Sequence, residues 1–138
     1  MSTITAFDAD VIIYAADGAH PFQRQILTLL AEAGAAGRGI GSVLLLPEVL
    51  SKPLRSDPDS VETGRLTELL GTLRLLPMDA DVARLAVALG ARYSLRAADA
   101  VHLATAVAAG ADRFLTNNRK DFPVEVAEID VIFPEQLS

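Results

Sequence analysis

Short apolar runs alternate along the chain with longer stretches whose apolar residues recur every three or four positions. Residues 3–8, "TITAFD", form the first compact apolar run and predict a buried strand ending at Asp8. "VIIYAAD" continues apolar and is expected to turn into a helix, broken at Gly18. His20-Pro21 reads as the next helix start. In "FQRQILTLLAEAGAA" the residues Phe22, Ile26, Leu29, Leu30 and Ala33 then fall on one helical face. Residues 37–41 close that helix, with Ile40 in a second short strand.

"SVLLLPEVLSKPL" predicts a helix with Ser42 as N-cap, limited or kinked by Pro47 and Pro53. "SDPDSVETGRLTELLGTL" predicts another, with Asp57 as cap and Pro58 in the first turn. "RLLPM" reads as a third strand. "DADVARLAVALGARY" reads as a helix capped by Asp79 or Asp81, with Val82, Leu85, Ala86 and Leu89 on one face. Ser94 is the expected cap of the helix "RAADAVHLATAVAAG", which Gly110 ends. "DRFLT" is a fourth strand, "NNRKDFP" a loop and "EIDVIFP" a last strand. This alternation predicts an α/β fold, a three-layer α/β/α sandwich around a mainly parallel sheet. No fixed-period repeat or linker divides residues 1–138, so a single domain is expected.

Composition narrows the picture. Hydrophobic residues make up 51% of the chain and mean hydropathy is +0.32, which excludes a disordered polyelectrolyte. Aromatics are only 5% and Trp is absent, so the core must be aliphatic. Without Cys there is neither a disulfide framework nor a thiolate zinc site, and a reducing, cytoplasmic setting is the expectation. No basic segment precedes a long apolar stretch, and the longest apolar runs fall short of a membrane span. The net charge of -6 argues against a basic surface that grips nucleic acid. It leaves open a metal that reaches phosphate, or a basic protein partner.

The candidate chemistry lies in the acids. In an open α/β sheet functional groups gather at the carboxyl ends of strands. Asp8 is expected at one such end, and Thr116, Asn117 and Asn118 at another. Asp99 sits early in a helix of small apolar residues, "AADAVHLATA", where crowding leaves an acid in need of a partner. Glu48 lies within "LLLPEVL" and Asp121 within "RKDF". Each has a plainer reading: a dipole-favoured first-turn acid for Asp99, an exposed helix position for Glu48, a loop acid beside two cations for Asp121. Together, four carboxylates from separated segments with no Cys and few His suit a hard cation, Mg²⁺ or Mn²⁺.

The blocks "FDADVIIYAAD", "LLLPEVL" and "LRAADAVHLATAVAAGADRFLTNNRKDF" resemble, in order, the three signature blocks of PIN-domain proteins. The likeness is greatest to VapC-type toxins of bacterial toxin–antitoxin pairs and covers nearly the whole chain. The resemblance implies a Mg²⁺- or Mn²⁺-dependent endoribonuclease that cleaves an RNA substrate, forms homodimers and is blocked by a cognate antitoxin. By motif, Asp8, Glu48 and Asp99 correspond to the first three acids and would hold metal. Many relatives carry an Asp directly after Thr-Asn, where this chain has Asn118. Others have the Asn form with an Asp three residues later, which assigns the fourth carboxylate to Asp121 and a positioning role to Asn118.

Asp10 departs from the Ser, Thr or Asn of relatives. It reads as the N-cap of "VIIYAA", as a hydrogen-bonding support of the site, or as added charge in the metal cage. Thr116 is expected to orient the acids through its hydroxyl, or to be an ordinary strand-end Thr. His102, three residues after Asp99, faces broadly the same side of its helix and reads as a packed or surface His in preference to a ligand. Lys52, Arg55, Arg96, Arg119 and Lys120 flank the acid-bearing segments, and Arg96 and Arg119 are the first choices for RNA phosphate contacts. Two other classes compete. One is a non-catalytic PIN-like module that binds RNA or protein. The other is a haloacid-dehalogenase-like phosphatase using Asp8 and Asp10, for which the chain is short and Ile12 stands where Thr or Val is usual.

Overall fold

A computed structural model describes residues 3–122 and 125–137. The elements run β1 (Thr5–Phe7), α1 (Ala9–Ala16), α2 (Gln23–Ala35), β2 (Gly39–Ser42), α3 (Leu45–Ser56), α4 (Val61–Gly71) and β3 (Arg74–Leu76). They continue through α5 (Ala80–Tyr93), α6 (Ala97–Ala108), β4 (Arg113–Leu115), β5 (Asp130–Ile132) and a 3₁₀ turn (Pro134–Gln136). The five strands form one sheet in the order β3-β2-β1-β4-β5, and every pair is parallel. The expected α/β/α sandwich is therefore present, with its sheet wholly parallel.

Side-chain alternation on these short strands divides the core. Ala6, Ile40, Phe114 and Val131 face a layer built with Val82, Leu89, Leu103 and Ala104 of α5 and α6. Phe7 and Leu115 face the opposite layer, with Val11, Ile12, Ile26, Leu30, Leu45 and Leu66 of α1–α4. Both faces are covered, which is why the strands read as continuous apolar runs and not as alternating ones. Gly41 has a specific task here. A Leu45 methyl occupies the space that a Cβ at position 41 would need, so α3 settles closely onto β2.

The strand order places the chemistry. From β1 the chain winds outward through β2 to β3, then returns to β4 on the other side of β1. The reversal lies between β1 and β4, at whose carboxyl ends an open α/β sheet leaves a crevice. Asp8 and Thr116 are the residues immediately after these two strands.

Several caps differ from expectation. Ser42 belongs to β2, and its Oγ accepts from the Leu44 amide at 3.1 Å; Leu44 precedes α3 without a side-chain cap. Asp57 ends α3, and Ser60 caps α4 by accepting from the Thr63 amide at 3.1 Å. In "SDPDS" several residues are competent caps; the Ser60 hydroxyl also bonds the Thr63 hydroxyl at 2.8 Å, which favours the later start. Ser94 is not the N-cap of α6 but the C-cap of α5, in the left-handed conformation at φ 56°. Asp79 caps α5 as expected, accepting from the Val82 amide at 2.8 Å. Gly110, at φ +72°, follows the end of α6. Among the described residues no helix is long and apolar enough to cross a membrane.

Candidate active site

Asp8 is fixed from three directions. Its amide donates to the Leu115 carbonyl at 3.0 Å, continuing the β1–β4 ladder by one bond. Its Oδ1 accepts from the Ala9 amide at 2.8 Å, so Asp8 is the N-cap of α1. Its Oδ2 accepts from the Thr116 hydroxyl at 2.7 Å. The residue is only 4% exposed. Burial raises its pKa above the usual carboxylate range. His102 and the bonds from Thr116 and Ala9 pull the other way, and Glu48 adds to the rise.

Thr116, fully buried, serves both neighbours: its hydroxyl donates to Asp8 and accepts from the Asn118 amide at 3.1 Å. The expected orienting role thus has a bond behind it. Asp10 is not the helix cap, a place that Asp8 occupies, but lies in the first turn of α1. Its Oδ2 accepts from the Asn117 amide at 3.1 Å, while Oδ1 is buried without a hydrogen-bond partner. Burial, then the charge of Asp8, pushes its pKa up to about 7. The two acids spaced one apart in the sequence therefore both tie the first turn of α1 to the segment after β4.

Asp99 stands half-buried in the first turn of α6. Burial, then Asp8 and Asp121, raises its pKa to about 6. One turn on, His102 is buried, and its Nε2 is hydrogen-bonded to Oε1 of Glu48 in the first turn of α3. Burial disfavours the charged ring. The Glu48 bond and the charges of Asp8, Glu48 and Asp99 outweigh it, so the His102 pKa is raised. Asp121 is held by its own loop: Oδ2 accepts from Asn118 Nδ2 at 3.0 Å, and the Asn118 carbonyl accepts from the Asp121 and Phe122 amides. Phe122 anchors that loop against Phe114, with ring centroids 5.2 Å apart.

The two arginines differ. Arg96 is the exposed residue immediately before α6, three positions from Asp99. Arg119 is paired with Glu135 and lies over the Phe133 ring, 4.1 Å from its centroid, so a phosphate would have to compete with a carboxylate for it. The sequence pattern did not disclose the Glu48–His102 pair. The spacing of His102 from Asp99 was the available signal, and it indicated a shared face but not a partner on another helix.

The acids act on one another. Glu48 raises Asp8, Asp8 and Asp99 raise Asp10, and Asp8, Asp121 and Glu48 raise Asp99. Among the strongest influences on these acids, the opposing positive charge is that of His102, acting on Asp8 and Asp99. Such a cluster demands positive charge. Among the described residues no three His, Asp or Glu groups already surround one ion-sized point. Mg²⁺ does not require that, because it keeps several waters and takes one or two carboxylates directly. Hard oxygen donors, mutual repulsion and an unpartnered buried oxygen therefore fit a hydrated hard cation.

Comparisons with known proteins agree with this fold. The family model described as "PIN domain" matches residues 6–126. A toxin–antitoxin complex from Klebsiella pneumoniae contains a chain 25% identical, aligned over 94% of this chain and 97% of that one, with TM-score 0.74. DNA-bound VapBC from Salmonella typhimurium is similar at 18% identity over 96% and 98% of the two chains, TM-score 0.73. A Mycobacterium tuberculosis VapC toxin described as cleaving the sarcin-ricin loop is similar at 15% identity over 80% and 86%, TM-score 0.63. The last two likenesses show the fold alone. No curated protein matches this chain. Because the family match spans most of the sequence and the fold agrees with it, the chain belongs to the PIN domain family.

Proposed function

We propose that this chain is a divalent-metal-dependent endoribonuclease and the toxin of a toxin–antitoxin pair. The observation that carries the reading is the convergence of acids from separated elements at the β1/β4 crevice, where burial and neighbouring carboxylates hold Asp8, Asp10 and Asp99 above the usual carboxylate range. Asp8 and Asp99 are the direct holders of Mg²⁺ or Mn²⁺, with Glu48 and Asp121 completing the set directly or through water. Such a cation supplies Lewis-acid activation of water and offsets charge developing on a phosphodiester.

The protein's own part is orientation. Ala9 and Thr116 fix both oxygens of Asp8, and Asn118 fixes one oxygen of Asp121. Asp10 holds the segment after β4 through the Asn117 amide. RNA phosphate contacts fall to Arg96, exposed just before α6, and to Arg119 once it leaves Glu135, in this reading. No side-chain nucleophile is needed. The phosphatase alternative fits poorly, because the chain belongs to the PIN domain family.

RNA as substrate is supported by the family and by the description of the Mycobacterium tuberculosis neighbour as a sarcin-ricin loop cleaving toxin. An antitoxin partner is supported by the neighbours solved as toxin–antitoxin complexes. A basic side chain of that partner would satisfy the same acids as a cation does. A homodimer in the cytoplasm completes the reading. The test is RNA cleavage by the purified chain, free of partner, in Mg²⁺ or Mn²⁺ and in chelator. Cleavage that persists in chelator, or that Asp8→Asn leaves undiminished, overturns the assignment.

A further inference from the structure

The Glu48–His102 bond is the observation that the site reading leaves over. Glu48 projects from the first turn of α3 with a side chain 34% exposed, and a flexible glutamate there has many rotamers open to it. His102 projects from α6 with a side chain only 1% exposed, one turn beyond Asp99. Their bond joins helices on the two sides of the crevice, across 54 positions of sequence. A carboxylate only accepts, so His102 Nε2 carries the proton and donates it to Oε1. Nδ1 is buried and without a hydrogen-bond partner. Oε2 of Glu48 makes no part of this bond.

We propose that His102 is a positioning residue for Glu48: by binding Oε1 it holds the carboxylate so that Oε2 is presented to the cation shared with Asp8 and Asp99. The inference rests on the metal-dependent reading above and adds a residue to it. Carboxylates that hold metals are themselves held by outer hydrogen bonds, and loss of such a bond typically weakens metal binding by about ten- to a hundredfold. His102 is such an outer donor, rigid because it is buried in the Ala-rich packing of α6.

The test uses Mn²⁺ itself as probe, with binding to the intact chain followed by calorimetry. Four single variants are compared with the parent: Asp8→Asn, His102→Gln, His102→Asn and His102→Leu. Gln places an amide donor near the position of Nε2, Asn is too short to reach Glu48, and Leu removes the donor while filling apolar space. Mn²⁺ affinity is expected to fall about tenfold or more in His102→Asn and His102→Leu and to be largely restored in His102→Gln. In a Glu48→Gln background the same His102 changes should have little further effect, because they act through Glu48.

Thermal melts identify any variant that does not fold; should His102→Leu be one, the Asn and Gln pair decides. Three results overturn the proposal: unchanged Mn²⁺ affinity in His102→Asn, tighter binding (which would make His102 a competitor of the metal), or an equal loss with and without Glu48. A parent chain that binds no Mn²⁺ brings down the metal-dependent reading and this inference together. A parent that binds, with indifferent His102 variants, brings down this inference alone.

Discussion

The two ends of β1 and β4 share a pair of strands and a single register, yet their polar groups are treated in opposite ways. At the amino end, beside the Thr5–Arg113 pairing, the Ile4 amide donates to Asp112 Oδ2 at 2.7 Å and Arg113 Nε donates to Thr5 Oγ1 at 2.8 Å. Acid, guanidinium and hydroxyl each meet a complement there. At the carboxyl end, beyond the Phe7–Leu115 pairing, Asp8, Asp10 and Asp99 face one another and one Asp10 oxygen has no partner. The strands themselves do not require this difference. One edge closes the fold, and the other keeps a surplus of negative charge that reduces stability and suits a cation. Stability given up locally at a site is a recurring cost of function.

The strongest way to break the contrast is to remove charge where it is in surplus. Asp8→Asn keeps an oxygen that can cap α1, and its amide nitrogen can donate to the Thr116 hydroxyl in place of accepting from it, so the fold should survive. Metal-dependent RNA cleavage should fall by roughly a thousandfold or more, while the metal-free melting temperature holds or rises. Gel-based cleavage and a thermal melt of the same preparation read both. If cleavage and stability fall together, the acid is structural and the two edges are alike.

A pH series sharpens the comparison without mutation. The pKa of Asp10 stands at about 7 and that of Asp99 at about 6, both above the unfolded value of 3.8, and Asp8 is also raised. The folded chain therefore holds more protons than the unfolded chain between these values. The contribution of these groups is full below the unfolded pKa and is lost as pH rises through about 6 and 7. The raised His102 pKa acts in the same direction. Without metal the melting temperature should drop between about pH 5 and pH 8, on the order of 5 °C. Millimolar Mg²⁺ should shrink or reverse the drop, because it binds the ionised form. A metal-free melting temperature that rises over that interval contradicts the electrostatic account of the carboxyl edge.

A smaller change separates the acids from each other. Asp10→Asn removes the carboxylate whose pKa stands at about 7 and keeps an oxygen for the Asn117 amide. It should flatten the upper part of the pH series and shift cleavage by about tenfold or less, since Asp10 supports a loop and Asp8 holds metal. A loss as deep as that of Asp8→Asn would move Asp10 into the ligand set.

Most of the architecture could be read from pattern because its central strands β1, β2 and β4 are buried on both faces. Asp8 was legible for the same reason: an acid that ends an apolar run is either an error of patterning or a strand-end group. The caps were less so. Ser42, Asp57 and Ser94 all carry cap chemistry, but cap chemistry is local and does not tell a helix start from the end of the element before it. The Glu48–His102 pair lay beyond reach on different grounds. Its partners come from helices on opposite layers, and periodicity reports which way a residue faces, not which residue of another element it meets.

The last prediction concerns the satisfied edge. Asp112→Ala removes the acceptor for the Ile4 amide just outside β1, at a position the chain exposes to water. Water can take up part of the lost bond, so the cost should be roughly 1 kcal/mol or less, about 3 °C in melting temperature. Cleavage per folded molecule should be unchanged, because Asp112 lies at the opposite end of β4 from Thr116. This small loss of stability is the mirror of Asp8→Asn, where an acid is removed at no cost in stability and nearly all cost in chemistry. If Asp112→Ala lowers cleavage while the protein remains folded, the amino edge also communicates with the reaction, and the division of labour between the two ends of the sheet fails.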